Sequence, residues 1–372
     1  MYAIPIIRYI SGAVKWTKQE IDEMNRKTRK ILTMHGALHP RADVDRIYLP
    51  RKLGGRGLMN INDTIEQEER NLSEYIYKSN DDPLLNMVKS KDIYKKYTES
   101  TEEWHQKVLE EREDRWKKKA LHGQYPRQIE GITKSETRYH WLKDGKLKIE
   151  TEALLTSAQD QALNTKAHKT YIMKISNDPK CRLCQAADET VSHLLSACKI
   201  LAGTEYLKRH NEVAKAIHWS VCQAYGVDVA HSYWKHEPPD VIDTNEVKLL
   251  WDFDMYTDHY IQARRPDIII HDKRKRQTII VDIAVPEDVN LQHKEREKIE
   301  KYQDLKLEIT RLWNCKTIVV PVVVGALGAY SPKLTTYLER IPGEHKIPRL
   351  VKAALLGSAH ILRRVLDLPE TW

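Results

Sequence analysis

The sequence predicts a multidomain α+β protein with an all-α N-terminal part, a small cysteine-rich segment and an α/β C-terminal domain. Three observations predict this class. The chain has 372 residues, which is more than one ordinary hydrophobic core accommodates. Apolar residues recur at helical spacing as far as about residue 174. After about residue 200, two β-branched runs at 268–271 and 278–285 indicate strands.

In the N-terminal part, the first helix is predicted to begin at Thr17, because Thr17 and Glu20 have the spacing of a capping box. An apolar stripe continues this helix to about residue 34. The loop that follows is rich in glycine and proline and contains Arg51 and Arg56. Two interpretations of this loop are open: a solvated loop, or a flexible basic loop on a phosphate backbone. Charged helices are predicted at 61–79 and 101–121, and a mostly helical segment at 135–174.

The cysteine-rich segment contains Cys181, Cys184, His193 and Cys198, which form the pattern C-x2-C-x8-H-x4-C. Zinc prefers four tetrahedral nitrogen and sulfur ligands, so this pattern predicts a structural zinc site with no open position. The alternative interpretation is a set of buried, metal-free cysteines. Cys222 and Cys315 have no partner at ligand spacing and are predicted to be core thiols. The predicted elements of the tail are a helix at 202–225, the two β-branched strands, a long amphipathic helix at 291–313, a strand at 317–324 and helices near Lys333 and Leu350.

The two β-branched runs are predicted to form a hairpin that brings two aspartates together. A turn centred between Arg274 and Lys275 places Asp267 directly opposite Asp282. Opposed β-carbons in a hairpin lie about 4.5–5.5 Å apart, and like charges there are destabilising unless a cation separates them. Two carboxylates at this distance predict a magnesium site that activates water for phosphodiester hydrolysis.

Positive charge near this acidic pair is predicted from the next helix, where Lys294, Lys298 and Lys301 recur at i, i+4 and i+7. The cations at the hairpin tip are expected to grip a DNA backbone beside the site; they are Lys273, Arg274, Lys275 and Arg276. The alternative is a plain hairpin whose aspartates are neutralised by lysines, followed by a helix with solvated lysines.

The overall charge favours a polyanionic partner. Lysine and arginine number 61 against 53 acidic residues, which gives a net charge of +8 and a pI of about 9.0. The longest charge-free stretch, 317–332, is too short and too interrupted by proline and glycine to span a bilayer. No signal peptide is expected, and three cysteines beside a histidine point to a reducing compartment. We therefore expect an intracellular protein that binds nucleic acid and no membrane.

These motifs resemble the carboxy-terminal half of a non-LTR retrotransposon polyprotein of the restriction-like-endonuclease class. Such polyproteins end in a reverse transcriptase thumb, an α-helical linker, a C-C-H-C zinc knuckle and an endonuclease of the PD-(D/E)xK type. The resemblance covers nearly the whole chain. It is carried by 16–57, by 141–162, by the four knuckle ligands and by Arg265-Pro266-Asp267 with Asp282.

The resemblance implies a division of the chain and a role for each site residue. The implied segments are a thumb-like region at 1–100, a linker at 101–178, the knuckle at 179–200, the endonuclease domain at 201–345 and a C-terminal helix at 346–372. Asp267 and Asp282 become the metal-binding acids, and Lys298 and Lys301 the catalytic or phosphate-binding lysines. Typical members place the lysine two residues after the second acid, where this chain has Ala284; in the retrotransposon branch it lies on the following helix.

A further motif of this branch is matched by Arg209-His210-Asn211. The resemblance implies nucleic-acid contacts by Arg209 and His210, although a capping or core role for His210 is an equal alternative. The implied cofactors are structural zinc and catalytic magnesium. The implied partners are target DNA and element RNA, with a full-length reverse transcriptase in trans, and the implied location is the nucleus.

Two hypotheses of different classes follow. The first is a magnesium-dependent DNA endonuclease that nicks a target strand to prime reverse transcription. The second is a nucleic-acid-binding remnant whose nuclease is idle. The sequence contains no Y/F-x-D-D polymerase signature, so we expect no polymerase activity from this chain alone. A structural protein without a nucleic-acid role is disfavoured by the basic loops and the knuckle.

Overall fold

The structure is a computed structural model that describes residues 3–11, 14–79, 82–91, 96–258 and 260–368. The chain divides into two compact units, Met1–Gln124 and Tyr125–Trp372. Helices occur together with a five-stranded sheet, which confirms the general α+β class. Among the described residues, no helix combines the length and apolar character needed to cross a bilayer.

The described residues of the N-terminal unit form helices and the loops between them. Its helices are α1 (Ala3–Ile10), α2 (Lys18–Met34), α3 (Val44–Tyr48), α4 (Ile61–Lys78), α5 (Asp82–Lys91) and α6 (Thr101–Lys118). The predicted capping box at Thr17 and Glu20 is present and begins α2. The basic loop after α2 is more ordered than the sequence predicts, because Asp43 caps α3 by accepting a hydrogen bond from the Arg46 backbone N–H.

The C-terminal unit surrounds its sheet with helices and short helical turns. The helices from residue 124 onward are α7 (Gln124–Gln128), α8 (His140–Asp144), α9 (Ile149–Gln159), α10 (Lys199–Leu201), α11 (Leu207–Ala224), α12 (Leu291–Lys301), α13 (Gln303–Leu312), α14 (Lys333–Leu338) and α15 (Ile347–Leu366). The predicted helix at 291–313 is divided at Tyr302, whose hydroxyl hydrogen-bonds the Asp282 carboxylate. The predicted segment at 135–174 contains the two short helices α8 and α9 and a π-helical turn at His168–Ile172.

The strands are β1 (Val241–Asp243), β2 (Val247–Trp251), β3 (Ile268–Asp272), β4 (Gln277–Ala284) and β5 (Lys316–Val323), and they lie side by side in this order. The first four strands are antiparallel, and β5 pairs parallel to β4 after the crossover through α12 and α13. The strands β3, β4 and β5 were expected from the sequence, whereas β1 and β2 were not. On one face of the sheet, Ile269 and Ile280 pack in a core cluster with Leu305 and Ile309 of α13.

The boundary between the units does not coincide with the segment boundaries that the resemblance implies. Helix α6, assigned to the linker, packs with α3 and α4 of the N-terminal unit. The knuckle and α15 belong to the same unit as the sheet. There, Arg182 of the knuckle donates a 2.8 Å hydrogen bond to the Val365 carbonyl of α15.

Candidate functional site

The hairpin of β3 and β4 has the register predicted for the acidic pair. Ile268 pairs with Val281 and Asp272 pairs with Gln277, so the next pair outward is Asp267 and Asp282. Residues directly opposite each other in antiparallel strands point to the same face of the sheet. The two carboxylates therefore share one face at the open end of the hairpin.

The Asp267 carboxylate is held by helix α11 and by the neighbouring strand. Its Oδ2 atom lies 3.0 Å from His210 Nε2, and the Ile283 backbone N–H donates to the same oxygen at 2.5 Å. Burial opposes ionisation of Asp267, but the His210 hydrogen bond and charge outweigh it and lower the pKa of Asp267. Burial likewise opposes the charge on His210, and Asp267 outweighs it, raising the pKa of His210 to about 9. This geometry makes His210 a neighbour of the acidic pair rather than a capping residue.

The Asp282 carboxylate is almost fully buried and receives its partners from the region where α12 ends. Lys298 Nζ lies 2.5 Å from its Oδ2 atom, and the Tyr302 hydroxyl donates to Oδ1 at 2.6 Å. Lys301 Nζ is farther away, 3.9 Å from Oδ1, and donates to the Tyr302 oxygen at 2.9 Å. Burial and the negative charge of Asp267 together raise the pKa of Asp282. Tyr302 is the contact that sequence reasoning missed, although it directly follows Lys301.

The donor set at the acidic pair is chemically suited to magnesium. Magnesium prefers oxygen ligands and is commonly bound by one or two carboxylates together with several waters. Asp267 and Asp282 supply two carboxylates on one face. Burial and the charge of Asp267 raise the pKa of Asp282, and burial and the charges of both carboxylates raise the pKa of Tyr302. The Lys298 ammonium lies 2.5 Å from the Asp282 carboxylate, one of the two groups that would hold the ion.

Lys294 does not join the other two lysines at the acidic pair. Its ammonium lies 2.6 Å from a Glu297 carboxylate oxygen on the same helix, and both side chains are partly exposed. The structure therefore divides the predicted three-lysine face: Lys298 and Lys301 approach Asp282, and Lys294 forms a surface ion pair.

The cations of the hairpin tip do not lie beside the acidic pair, which corrects the sequence-based prediction. Lys273 to Arg276 form the turn at one end of the hairpin, and the aspartates lie at the other end. Six residues of strand separate them, which corresponds to about 20 Å. Two of the cations are also engaged by acids of the β1–β2 region: Lys273 pairs with Asp243 at 2.5 Å, and Arg274 pairs with Glu246.

Arg209 is a structural residue, which corrects its expected role in binding nucleic acid. Its side chain is only 2% exposed. The guanidinium donates to the Leu195 carbonyl at 2.8 Å, to the Val285 carbonyl at 3.1 Å and to the Ser358 hydroxyl at 3.0 Å. Arg209 thus joins the knuckle region, the end of β4 and α15 by hydrogen bonds, and it offers no surface to a ligand.

Arg51 and Arg56 belong to the N-terminal unit and are both half-buried. Arg51 begins a short helical turn, Arg51–Leu53, and the Arg56 guanidinium donates to the Ala37 carbonyl at 3.0 Å. A role for these two residues in binding nucleic acid stays a prediction.

The knuckle residues converge as the sequence predicts. The ligand atoms of Cys181, Cys184, His193 and Cys198 all lie within 4.8 Å of one another, close enough to bind one metal ion. Cys181 Sγ and Cys198 Sγ are 4.0 Å apart, and Cys184 Sγ is 3.3 Å from His193 Nε2. Tetrahedral zinc separates two thiolates by about 3.8 Å and a thiolate from an imidazole nitrogen by about 3.5 Å. The spacing of these ligand atoms is therefore close to that of a zinc site.

A buried carboxylate braces the knuckle. Glu189 is fully buried, and its Oε2 atom accepts hydrogen bonds from the backbone N–H of Arg182 at 2.9 Å and from Nε of the same residue at 2.8 Å. Its Oε1 atom accepts from Arg182 at 2.8 Å and from the Lys166 backbone N–H at 2.9 Å. This network fixes the Cys181–Cys184 turn through Arg182, which lies between the two cysteines.

The structure corrects the prediction that Cys222 has no partner at ligand spacing. Cys222 Sγ lies 3.4 Å from His218 Nδ1, and that nitrogen lies 2.8 Å from His236 Nε2. The helical spacing of His218 and Cys222, four residues apart, was the available sequence signal. Cys315, by contrast, packs in the core cluster of α13 with the Thr278 hydroxyl 3.1 Å from its sulfur, as expected for a core thiol.

Comparison with models of known protein families finds no match for this chain. A search of curated proteins likewise finds no significantly similar sequence.

Proposed function

We propose that this chain is a metal-dependent DNA endonuclease whose active site is the acidic pair Asp267 and Asp282. The observation that carries the proposal is the convergence of four groups at the open end of the hairpin: two carboxylates, the His210 imidazole and the Lys298 ammonium. Groups of this kind come together in sites that hydrolyse phosphodiesters, because developing negative charge there needs positive charge fixed nearby.

Each residue has a distinct proposed role. Asp267 and Asp282 hold a magnesium ion, which when bound polarises a phosphoryl oxygen and lowers the pKa of the attacking water. Lys298 would stabilise negative charge on the phosphate. Lys301 would stabilise the same negative charge on the phosphate from a greater distance. His210 is a positioning residue, because its hydrogen bond orients the Asp267 carboxylate.

The geometry favours Lys298 over Lys301 as the principal lysine. Lys298 lies 2.5 Å from Asp282, and 17% of its side chain is exposed, whereas Lys301 lies 3.9 Å away and is 41% exposed. An ammonium in a less solvated position interacts more strongly with a phosphate group. Replacing Lys298 should therefore lower the rate more than replacing Lys301.

A plasmid-nicking assay with purified chain and magnesium tests the proposal. Asp267→Asn and Asp282→Asn should abolish nicking, whereas Asp272→Asn should not, although Asp272 lies on the same hairpin and is also buried. Lys298→Ala should slow nicking and Lys294→Ala should leave the rate unchanged. If both Asn variants at 267 and 282 nick as fast as the parent chain, the active site lies elsewhere.

The resemblance to retrotransposon polyproteins supports a more specific proposal. In it, the nick primes reverse transcription of element RNA by a polymerase supplied in trans, in the nucleus. The knuckle binds zinc through Cys181, Cys184, His193 and Cys198, and the N-terminal unit contacts nucleic acid through phosphates. Affinity of the full chain for duplex DNA and structured RNA should then fall steeply as salt increases. Binding that is insensitive to salt would contradict this part.

A second candidate function is a nucleic-acid-binding remnant with an idle nuclease. One observation favours it: Lys298 Nζ lies 2.5 Å from Asp282 Oδ2 and the Tyr302 hydroxyl donates to Oδ1, so two groups of the chain itself already offset the negative charge of Asp282. The same assay separates the candidates. A chain that binds nucleic acid but does not nick supercoiled, linear or branched DNA with magnesium or manganese is the remnant.

A further inference from the structure

The residues His218, Cys222 and His236 form a cluster, here called the histidine–cysteine cluster, that takes no part in the acidic pair or the knuckle. Their ligand atoms all lie within 4.8 Å of one another. Two imidazole nitrogens and one thiolate are the donor types that zinc prefers.

Local structure explains why these three side chains meet. His218 and Cys222 are four residues apart on α11, so they project from the same face of that helix. His236 directly follows the helical turn Tyr233–Lys235, and its backbone N–H closes that turn on the Tyr233 carbonyl at 3.1 Å. The Trp251 ring packs edge-on against the His218 ring at 5.6 Å and limits its movement.

The distances in the cluster resemble those of a metal site before the ion enters. His218 Nδ1 lies 3.4 Å from Cys222 Sγ and 2.8 Å from His236 Nε2. Tetrahedral zinc requires about 3.5 Å and about 3.3 Å for these two separations. The two imidazole nitrogens therefore need to move apart by only about 0.5 Å. The sulfur-to-nitrogen distance of 3.4 Å in the cluster is close to the 3.3 Å between Cys184 and His193 in the knuckle.

All three residues of the histidine–cysteine cluster are buried. The exposed fractions of His218, Cys222 and His236 are 0%, 0% and 5%. All three side chains are therefore withdrawn from solvent. The flanking charges Lys215 and Glu237 pair with each other at 2.8 Å.

We propose that His218, Cys222 and His236 bind a second zinc ion. Three protein ligands leave a fourth position for water or a small anion. The ion ties the segment that leads into β1 to helix α11, which also carries His210. The site joins two segments of the chain, and it stands independently of the proposed nuclease activity.

Metal analysis of the purified full chain tests this proposal by difference. Cys222→Ser should contain one zinc fewer per chain than the parent, and Cys315→Ser, which alters a buried thiol outside the cluster, should contain the same amount as the parent. Because the result is a difference, it does not depend on whether the knuckle is filled. Equal zinc in the parent chain and in Cys222→Ser overturns the proposal.

A measurement on the unaltered chain covers the case in which Cys222→Ser does not fold. Cobalt added to metal-stripped chain should bind in two steps, because the knuckle offers three thiolates and the cluster offers one. The second step should add a sulfur-to-cobalt absorption about one third as intense as the first. His236→Gln should remove this second step only. A single cobalt equivalent per chain, or two steps that both survive in His236→Gln, refutes the second site.

Discussion

Replacing Lys298 by methionine tests directly whether the acidic pair is a metal site. Methionine keeps the length of the side chain and removes the ammonium that lies 2.5 Å from Asp282 Oδ2. Asp282 is 1% exposed, so the change leaves a buried carboxylate without its nearest cation. Breaking a buried ion pair by removing one partner costs roughly 3–5 kcal/mol. Since the Tyr302 hydroxyl at 2.6 Å remains, we expect about 3 kcal/mol.

A divalent ion should restore this stability, because it supplies the positive charge that the lysine no longer provides. Ligand binding to the folded state stabilises it by about 2.7 kcal/mol when the free ligand is 100 times its dissociation constant. In the parent chain Lys298 already supplies positive charge to Asp282, so a metal ion should raise the free energy of unfolding of the parent chain less. The variant should therefore bind manganese or magnesium more tightly than the parent while nicking DNA more slowly.

The assay is urea unfolding of the full chain in EDTA and in manganese, followed by tryptophan fluorescence. Lys294→Met is the matched control, because Lys294 lies on the same helix but pairs with Glu297 at the surface. Surface pairs contribute about 0–1 kcal/mol. The reasoning fails if manganese stabilises the Lys298→Met and Lys294→Met chains equally.

The pH dependence of the same variant has a definite sign. Burial and Asp267 already raise the pKa of Asp282, and loss of Lys298 raises it further. A carboxyl group whose pKa is higher in the folded state favours folding at low pH and loses that contribution as pH rises. The stability difference between Lys298→Met and the parent should thus be small at pH 5 and large at pH 8.

Three further predictions follow from the other contacts. The pKa of His210 is raised to about 9 in the folded state, so in metal-free buffer the His210–Asp267 pair should contribute its full stabilisation below pH 6.5. About 3 kcal/mol of that stabilisation should be lost as pH rises through 9. Unfolding titrations of Asp267→Asn should show no such loss. Arg209→Ala should lower the melting temperature strongly because it leaves two buried carbonyls without their donor, while the affinity of the folded fraction for DNA stays unchanged. Cys184→Ser should reduce zinc by one per chain; unchanged zinc content would contradict the knuckle assignment.

Local patterns predicted the acidic hairpin well. The isoleucine and valine runs define β3 and β4, and the polar residues between them fix the turn, so the pairing of Ile268 with Val281 could be predicted from the sequence. The Thr17 capping box is equally local. Both features depend on residues close together in the chain, which is why their geometry could be predicted without the structure.

Features that depend on distant residues could not be predicted in the same way. Nothing in the periodicity of α11 indicates that Arg209 is covered by α15, because that helix lies about 150 residues later in the chain. His236 comes from a loop whose position relative to α11 is set by the tertiary fold. Strands β1 and β2 were missed because their short runs carry charged residues, including Lys248. The pairing of β1 with β2 and of β2 with β3 overrides this weak local pattern.

The turn between β3 and β4 makes the acidic pair sensitive to insertions and deletions far from it. Both strands are largely buried, and isoleucine or valine lies on both of their faces. The pattern of side chains alone therefore opposes a register shift of one residue only weakly. A deletion of one turn residue that preserved the turn geometry would place Asp267 opposite Ile283 and turn the two carboxylates to opposite faces. Among related chains, those with a turn of different length should therefore not nick DNA, even when they retain both aspartates.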